Sequence, residues 1–392
     1  MKRLLFISRT SLTPVVKGGA ELATFEMLSG LRNKGWEIEV IEGDLGYYSP
    51  RSWLGRARTR IVEAIFKRFR FLEFVFYPLF KLPWKKSYYS LHGDTPVDVV
   101  KWTGPTLHGI FLRFYTERLR VFKPDIVFTF DVALGRMNTD LVEMALELHI
   151  KAYMWIHCSY IFECKMYGDL KKIPIICNSN FSEKLLLSHG INLRACFAPV
   201  FSIEPPEIFG QTGRFITFCN PVEAKGVAIA IAMAKKMPKA RFLFVRGRWD
   251  RIDYQEQNAF IREISALPNA ELWDFQDDIT KVLSETAVLL YPSQTLETFG
   301  RTVIEAQRLG IPVIVSDSGG LSDTVGVGGI VVKPKDDVDK FVQLTQRLLD
   351  DPVFRDETIQ KGRENCLREE FNPVHSLARL DEFLSRELGE LE

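Results

Sequence analysis

The chain has 392 residues, a formal net charge of +1, 46% hydrophobic residues and 26% charged residues. That length suits two domains better than one core, and the composition is that of an ordinary soluble globular protein. The near-zero charge gives no general attraction to polyanions, so nucleic acid is not an expected partner, and the lack of any apolar run of about 18 residues predicts no membrane-spanning helix.

In chain order, Met1 to Ser8 carries too short an apolar core for a signal peptide and reads as a first buried strand over Leu4 to Ser8. A loop with Thr13-Pro14 and Gly18-Gly19 follows. Ala20 to Lys34 has a helical pattern with Leu22, Phe25, Leu28 and Leu31 inward; Gly35 stops it, and Trp36 to Ile41 alternates as a strand. This is a β-loop-α-β unit of the doubly wound kind. Residues 51–95 stand apart: ten Lys or Arg against Glu63, Glu73 and Asp94, with eleven aromatic residues. Leu54, Ile61, Ile65, Phe69, Leu72 and Phe76 fall near one helical face, as an interfacial membrane segment requires, or as a helix packed on the first domain requires. An anionic membrane surface is therefore one expected partner, and the segment as an acceptor wall is the other reading.

Further strands are expected at Ile126 to Phe130, Ala152 to His157 and Ile173 to Asn178. Pro199, Pro205, Pro206 and Gly210 mark 197–214 as a linker. A second β/α series follows, with strands at Phe215 to Cys219, Ala240 to Arg246, Ala270 to Asp274, Val288 to Tyr291, Ile311 to Val315 and Gly329 to Val332. The alternation predicts two doubly wound α/β domains, 1–198 and 199–371, with a helical tail over 372–392. The six cysteines form no Cys-x2-Cys pair, so reduced thiols, a cytoplasmic location and no structural zinc are expected.

The stretch Glu297-Thr298-Phe299-Gly300-Arg301-Thr302-Val303-Ile304-Glu305-Ala306 reads as strand exit, turn and helix. One glutamate precedes the helix and one lies within it, at the carboxyl end of a parallel strand where open sheets bind ligands. The amides of Phe299, Gly300 and Arg301 would lie at a helix N-terminus suited to phosphate. The G-x-G-x-x-G fingerprint is absent, which argues against a nicotinamide enzyme.

This segment resembles the E-x7-E motif of retaining glycosyltransferases of the family 4 type, which have the two-domain GT-B fold. Gly310-Ile311-Pro312-Val313-Ile314-Val315-Ser316, Gly319-Gly320 and Gly328-Gly329-Ile330-Val331-Val332 extend the likeness. The resemblance implies two Rossmann-like domains facing across a cleft, with the last helix crossing back to the first domain. It also implies transfer of a sugar from a nucleotide diphosphate sugar to an acceptor hydroxyl with retention, and no need for a metal. Glu305 would hold the ribose, and Glu297 with the Phe299, Gly300 and Arg301 amides would engage donor sugar and phosphate. Gly18-Gly19 would face the donor, and His157, with Asp131 as a weaker candidate, would lie near the sugar. Lys225 in Asn220-Pro221-Val222-Glu223-Ala224-Lys225-Gly226 would reach the diphosphate. Asn220 stands about where family members carry an arginine, so Arg246 or Arg248 would have to supply that charge. Rival readings are a sugar phosphorylase or nucleotide-sugar epimerase on the same fold, or a non-catalytic nucleotide-sugar-binding protein.

Overall fold

The computed structural model describes residues 1–8, 19–43, 84–89, 97–102, 108–130, 136–157, 162, 167–199, 213–247, 254–276 and 278–389. Gly18, Asp131, Arg248 and the expected amphipathic helix within 51–83 lie outside the described residues, as does most of the expected linker. The chain divides into two compact units: Met1–Cys177 with Leu186–Ala195 and Leu377–Glu392, and Asn178–Leu185 with Cys196–Ser376. The change of unit falls at Cys196, and Asn178–Leu185 belongs with the second unit.

Among the described residues the first unit holds eight strands: β1 (Arg3–Ser8), β2 (Glu37–Gly43), β3 (Trp84–Tyr89), β4 (Val97–Trp102), β5 (Ile126–Phe130), β6 (Lys151–Ile156), β7 (Ile175–Cys177) and β8 (Leu193–Cys196), in the order β3-β4-β2-β1-β5-β6-β7-β8. β1 runs parallel to both β2 and β5, and β3 is antiparallel to β4. The expected Rossmann-like order is therefore extended at one edge by a strand pair that periodicity did not single out. Leu4 to Ile7 and Ile126 to Phe128 are buried without alternation, because helices on both faces leave a central parallel strand no polar side. The helix Pro373–Glu387 ends five residues before the expected limit. Its second half is held within this unit: Trp36 Nε1 donates to Asp381 at 2.7 Å and the Tyr153 hydroxyl to Glu387 at 2.6 Å.

The second unit holds β9 (Phe215–Cys219), β10 (Phe242–Val245), β11 (Ala270–Trp273), β12 (Thr286–Tyr291), β13 (Val313–Ser316) and β14 (Ile330–Val332). Their order is β11-β10-β9-β12-β13-β14 and every pair is parallel. Counted within the unit this is 3-2-1-4-5-6, so the chain reverses its direction of travel between β9 and β12. Successive residues of β12 enter opposite layers. Val288 and Leu290 join the cluster around Val227, Met233 and Phe341, while Leu289 packs with Val303, Ala306 and Leu321. A period of two on a sheet covered on both faces produces this division. The loops after β9 and β12 leave the sheet side by side at its carboxyl edge, and they carry Lys225 and Glu297.

Candidate functional site

Lys225 ends a short 3-10 turn, Glu223–Lys225, and Gly226 closes it at φ 83°. A Cβ on Gly226 would lie 2.0 Å from the carbonyl oxygen of Pro292, so the loops after β9 and β12 meet backbone to backbone. The amide of Gln294 donates to the Ala224 carbonyl at 2.9 Å, fixing their register. The loop after β13 closes the other side: the Gly320 amide donates to the Glu297 carbonyl at 2.7 Å. A Cβ on Gly319 would be 2.3 Å from that carbonyl oxygen, and one on Gly320 would be 2.4 Å from the Thr298 carbonyl oxygen. The paired glycines thus let two loops close on the stretch that carries the first glutamate.

Held in this frame, Glu297 Oε1 accepts from Lys225 Nζ and, at 2.7 Å, from the hydroxyl of Ser293. Among the described residues Oε2 accepts no hydrogen bond, so one oxygen is anchored and the other is available. The ammonium also lies over the Tyr291 ring, 5.6 Å from its centroid. Burial alone would lower the Lys225 pKa, but Glu297 and Tyr291 outweigh it and hold the ammonium charged. Burial, and then the Glu297 carboxylate, push the Tyr291 phenol up to about 12, so it stays neutral.

Gly300, at φ 83°, is the N-cap of the helix Arg301–Arg308 and offers no side-chain cap to its first-turn amides. A helix start without a side-chain acceptor favours an anion. The Phe299 side chain points away into an apolar cluster with Ile304 and Phe371, meeting the Phe371 ring edge-on at 5.7 Å. Phe299 can therefore serve a ligand only through its backbone. Glu305 accepts from Arg301 Nε at 2.6 Å, and both side chains are almost wholly buried. The thiol of Cys219, at the end of β9, is pushed up to about 12 by burial and then by the Glu305 charge. The second glutamate thus lies near the end of β9 as well as on its own helix.

Asn220 and Arg246 follow adjacent strands whose last residues, Cys219 and Val245, are in register. Asn220 has φ 65°, and its Oδ1, which lies over Gly247, is buried and accepts no hydrogen bond among the described residues. The Arg246 Nε is buried and donates none, and its guanidinium stands 3.5 Å from the exposed carboxylate of Asp274. Gly19 is the exposed first residue of the helix Gly19–Asn33.

In the first unit, His157 follows β6, is buried, and packs on the Trp155 ring at 4.6 Å. Burial lowers its pKa to about 3, so it is neutral at physiological pH. Sequence reasoning missed Ser293 and Tyr291; the only signal was their place at the exit of the apolar run that precedes Glu297. Among the described residues no group of three or more His, Cys, Asp or Glu could hold a metal ion, and no helix is long and apolar enough to cross a membrane.

Residues 205–365 match the family described as "Glycosyl transferases group 1". Over 84 residues the chain is 36% identical to a GDP-mannose-dependent monoacylated alpha-(1-6)-phosphatidylinositol monomannoside mannosyltransferase of Corynebacterium glutamicum, a match to 20% of this chain and 22% of that protein. The chain thus spans about a fifth of the length of that curated relative. Among solved structures, sucrose-phosphate synthase from Thermosynechococcus elongatus superposes with a TM-score of 0.74, 16% identity and 99% coverage of both chains. Anabaena HepE in complex with UDP and glucose gives 0.69 at 15% identity, covering 98% of this chain and 100% of its own. The fold is GT-B, built of two Rossmann-like domains, and its second unit carries a glycosyltransferase group 1 match around Lys225, Glu297 and Glu305.

Two consequences are measurable. Gly319→Ala places a methyl group against the Glu297 backbone at a left-handed position, φ 59°. Overpacking and backbone strain of this kind cost about 1–3 kcal/mol each. The variant should unfold at clearly lower urea concentration than wild type; an unchanged midpoint would mean the loops are not in contact.

His157 gives a pH signature. Its folded pKa of about 3 lies below its ordinary value of about 6.5, so between those limits the unfolded chain binds the extra proton. Stability is therefore fully present above pH 6.5 and is lost as pH falls towards 3. From pH 7.5 to 5.0 this one group should remove about 2 kcal/mol. Urea unfolding of His157→Gln should show that much less acid sensitivity; the same slope in both proteins would place His157 in contact with water.

Proposed function

We propose that the protein transfers a sugar from a nucleoside diphosphate sugar to an acceptor hydroxyl, with retention at the anomeric carbon. The observation that carries this reading is the Lys225–Glu297 pair at the strand-order reversal of the second unit, beside a helix start with no side-chain cap. Two kinds of group are needed there, positive potential for a leaving diphosphate and a carboxylate for sugar hydroxyls, and both are present. The group 1 family match over residues 205–365 and the UDP and glucose bound to HepE support the same donor class.

In the reaction the bond from the anomeric carbon to the diphosphate oxygen breaks. The acceptor oxygen attacks from the same face, and its proton passes to the departing phosphate oxygen. Negative charge grows on the diphosphate as it leaves, so Lys225 and the first-turn amides of the Arg301 helix act most strongly in the transition state. Arg246 supplies the second positive side chain, in place of an arginine at Asn220. With these charges in place the proposal needs no metal ion. Glu297 Oε2 accepts from a donor sugar hydroxyl, and Glu305 holds the ribose hydroxyls.

A thermal-shift panel of nucleoside diphosphate sugars tests the class directly, because a ligand at 100 times its Kd stabilises by about 2.7 kcal/mol. One member should raise the melting temperature, and its sugar should then appear on an acceptor; no shift with any member would sink the reading. With that donor, Lys225→Ala should lower kcat by about 100-fold, the usual loss on removing one transition-state electrostatic partner. Arg246→Ala should lower it in the same sense, whereas wild-type turnover would remove Arg246 from the site.

Glu305→Gln keeps the shape of the side chain but removes the charge facing the ribose. A charge-assisted hydrogen bond contributes about 1.5–3 kcal/mol. Calorimetry should show the free nucleoside diphosphate binding at least about tenfold more weakly. Unchanged affinity in a folded variant would leave Glu305 with its Arg301 contact alone.

A further inference from the structure

The two donors that meet at Glu297 Oε1 differ in kind. The Ser293 hydroxyl is wholly buried two residues beyond β12, and the Ser293 backbone carbonyl accepts from the Ser316 hydroxyl at 2.6 Å. Lys225 approaches on a long stem whose side chain is 31% exposed, against 11% for Glu297. The serine is therefore fixed from within, while Lys225 is the more exposed partner and sits on a rotatable stem.

A diphosphate entering here meets a cation already neutralised by a carboxylate. Two outcomes are open to Lys225: it keeps Glu297 and contributes little to the phosphates, or it changes partner. The backbone contacts at Gly226, Gly319 and Gly320 tie the stretch that carries Glu297 to the neighbouring loops. The lysine stem can move.

We propose that Lys225 exchanges partners on donor binding, leaving Glu297 for the diphosphate, while Ser293 is the positioning residue that keeps the Glu297 carboxylate in place. The inference rests on the transferase reading above. In the empty site the ion pair competes with the donor's phosphates, so part of the intrinsic affinity is spent opening it. Once opened, Oε1 keeps the Ser293 bond and regains a lone pair for a second contact to the sugar, beside the hydroxyl that Oε2 accepts from. The site thereby couples arrival of the phosphates to readiness of the carboxylate.

The test is a double-mutant cycle on binding of the nucleoside diphosphate that the wild type takes, measured by calorimetry. Glu297→Gln keeps the shape and the Ser293 contact but releases Lys225, and should bind about tenfold more tightly while losing transfer. In the Lys225→Ala background the same change should alter affinity by less than about twofold, because no pair remains to be opened. Simple repulsion between Glu297 and phosphate predicts tightening in both backgrounds and would overturn the exchange. Glu297→Asp gives a second route if the glutamine variant does not fold: it keeps the charge, lengthens the pair, and should also tighten binding. Ser293→Ala should lower kcat and leave nucleoside diphosphate affinity within about twofold; equal losses in both would make the serine a general support of the loop. Weaker or unchanged binding by both Glu297 variants overturns the exchange alone. Failure of the wild type to bind any nucleoside diphosphate overturns the transferase reading beneath it.

Discussion

Three loops at the carboxyl edge of the second sheet touch through their backbones, and glycine is what permits it. Gly226 meets Pro292, Gly319 meets Glu297 and Gly320 meets Thr298 at distances no side chain could occupy. The rest of the site follows from this contact. With the loops after β9, β12 and β13 locked, Lys225 has one carboxylate within reach and Glu297 has one buried hydroxyl. A looser assembly would let a lysine and a glutamate on neighbouring loops drift into solvent, where such a pair contributes little.

The site is polar and much of its charge is buried. Glu297 and Glu305 are both buried carboxylates, and each has a cation beside it: Lys225 across the loops for the first and Arg301 one helical turn away for the second. The two pairs differ in what they leave available. Arg301 is as buried as its glutamate, whereas Lys225 reaches solvent. The first pair is therefore the one suited to change partners, and the second is suited to hold a fixed charge near the end of β9.

Much of this was legible in the chain itself. The Phe-Gly turn between two glutamates reads as a strand exit into a helix, while the Ile311-Pro312 strand entry and the Gly319-Gly320 pair were read as extensions of the family resemblance. β5 and β9 have the boundaries the sequence predicts, since an unbroken apolar run flanked by breakers is the mark of a central parallel strand. The pair β3 and β4, the outermost two strands on that side of the sheet, was not legible. Trp84–Tyr89 and Val97–Trp102 mix lysine, serine and aspartate with apolar residues, as strands at a sheet margin do. Ser293 and Tyr291 carried no signal of their own, because a serine after a strand is ordinary until its partner is known.

Sequence by itself determined the alternation of strand and helix, the turn residues and the list of charged groups, all properties of a few neighbouring residues. It did not determine which charges meet. Lys225 and Glu297 are 72 positions apart, and Asn220 is brought level with Arg246 only by the pairing of β9 and β10. That choice belongs to the strand order. Placing the fourth strand of the second unit beside its first puts two loops from distant parts of the chain at one edge. Their separation, and so the strength of any charge pair between them, is set by the sheet and by the glycines that let the loops close.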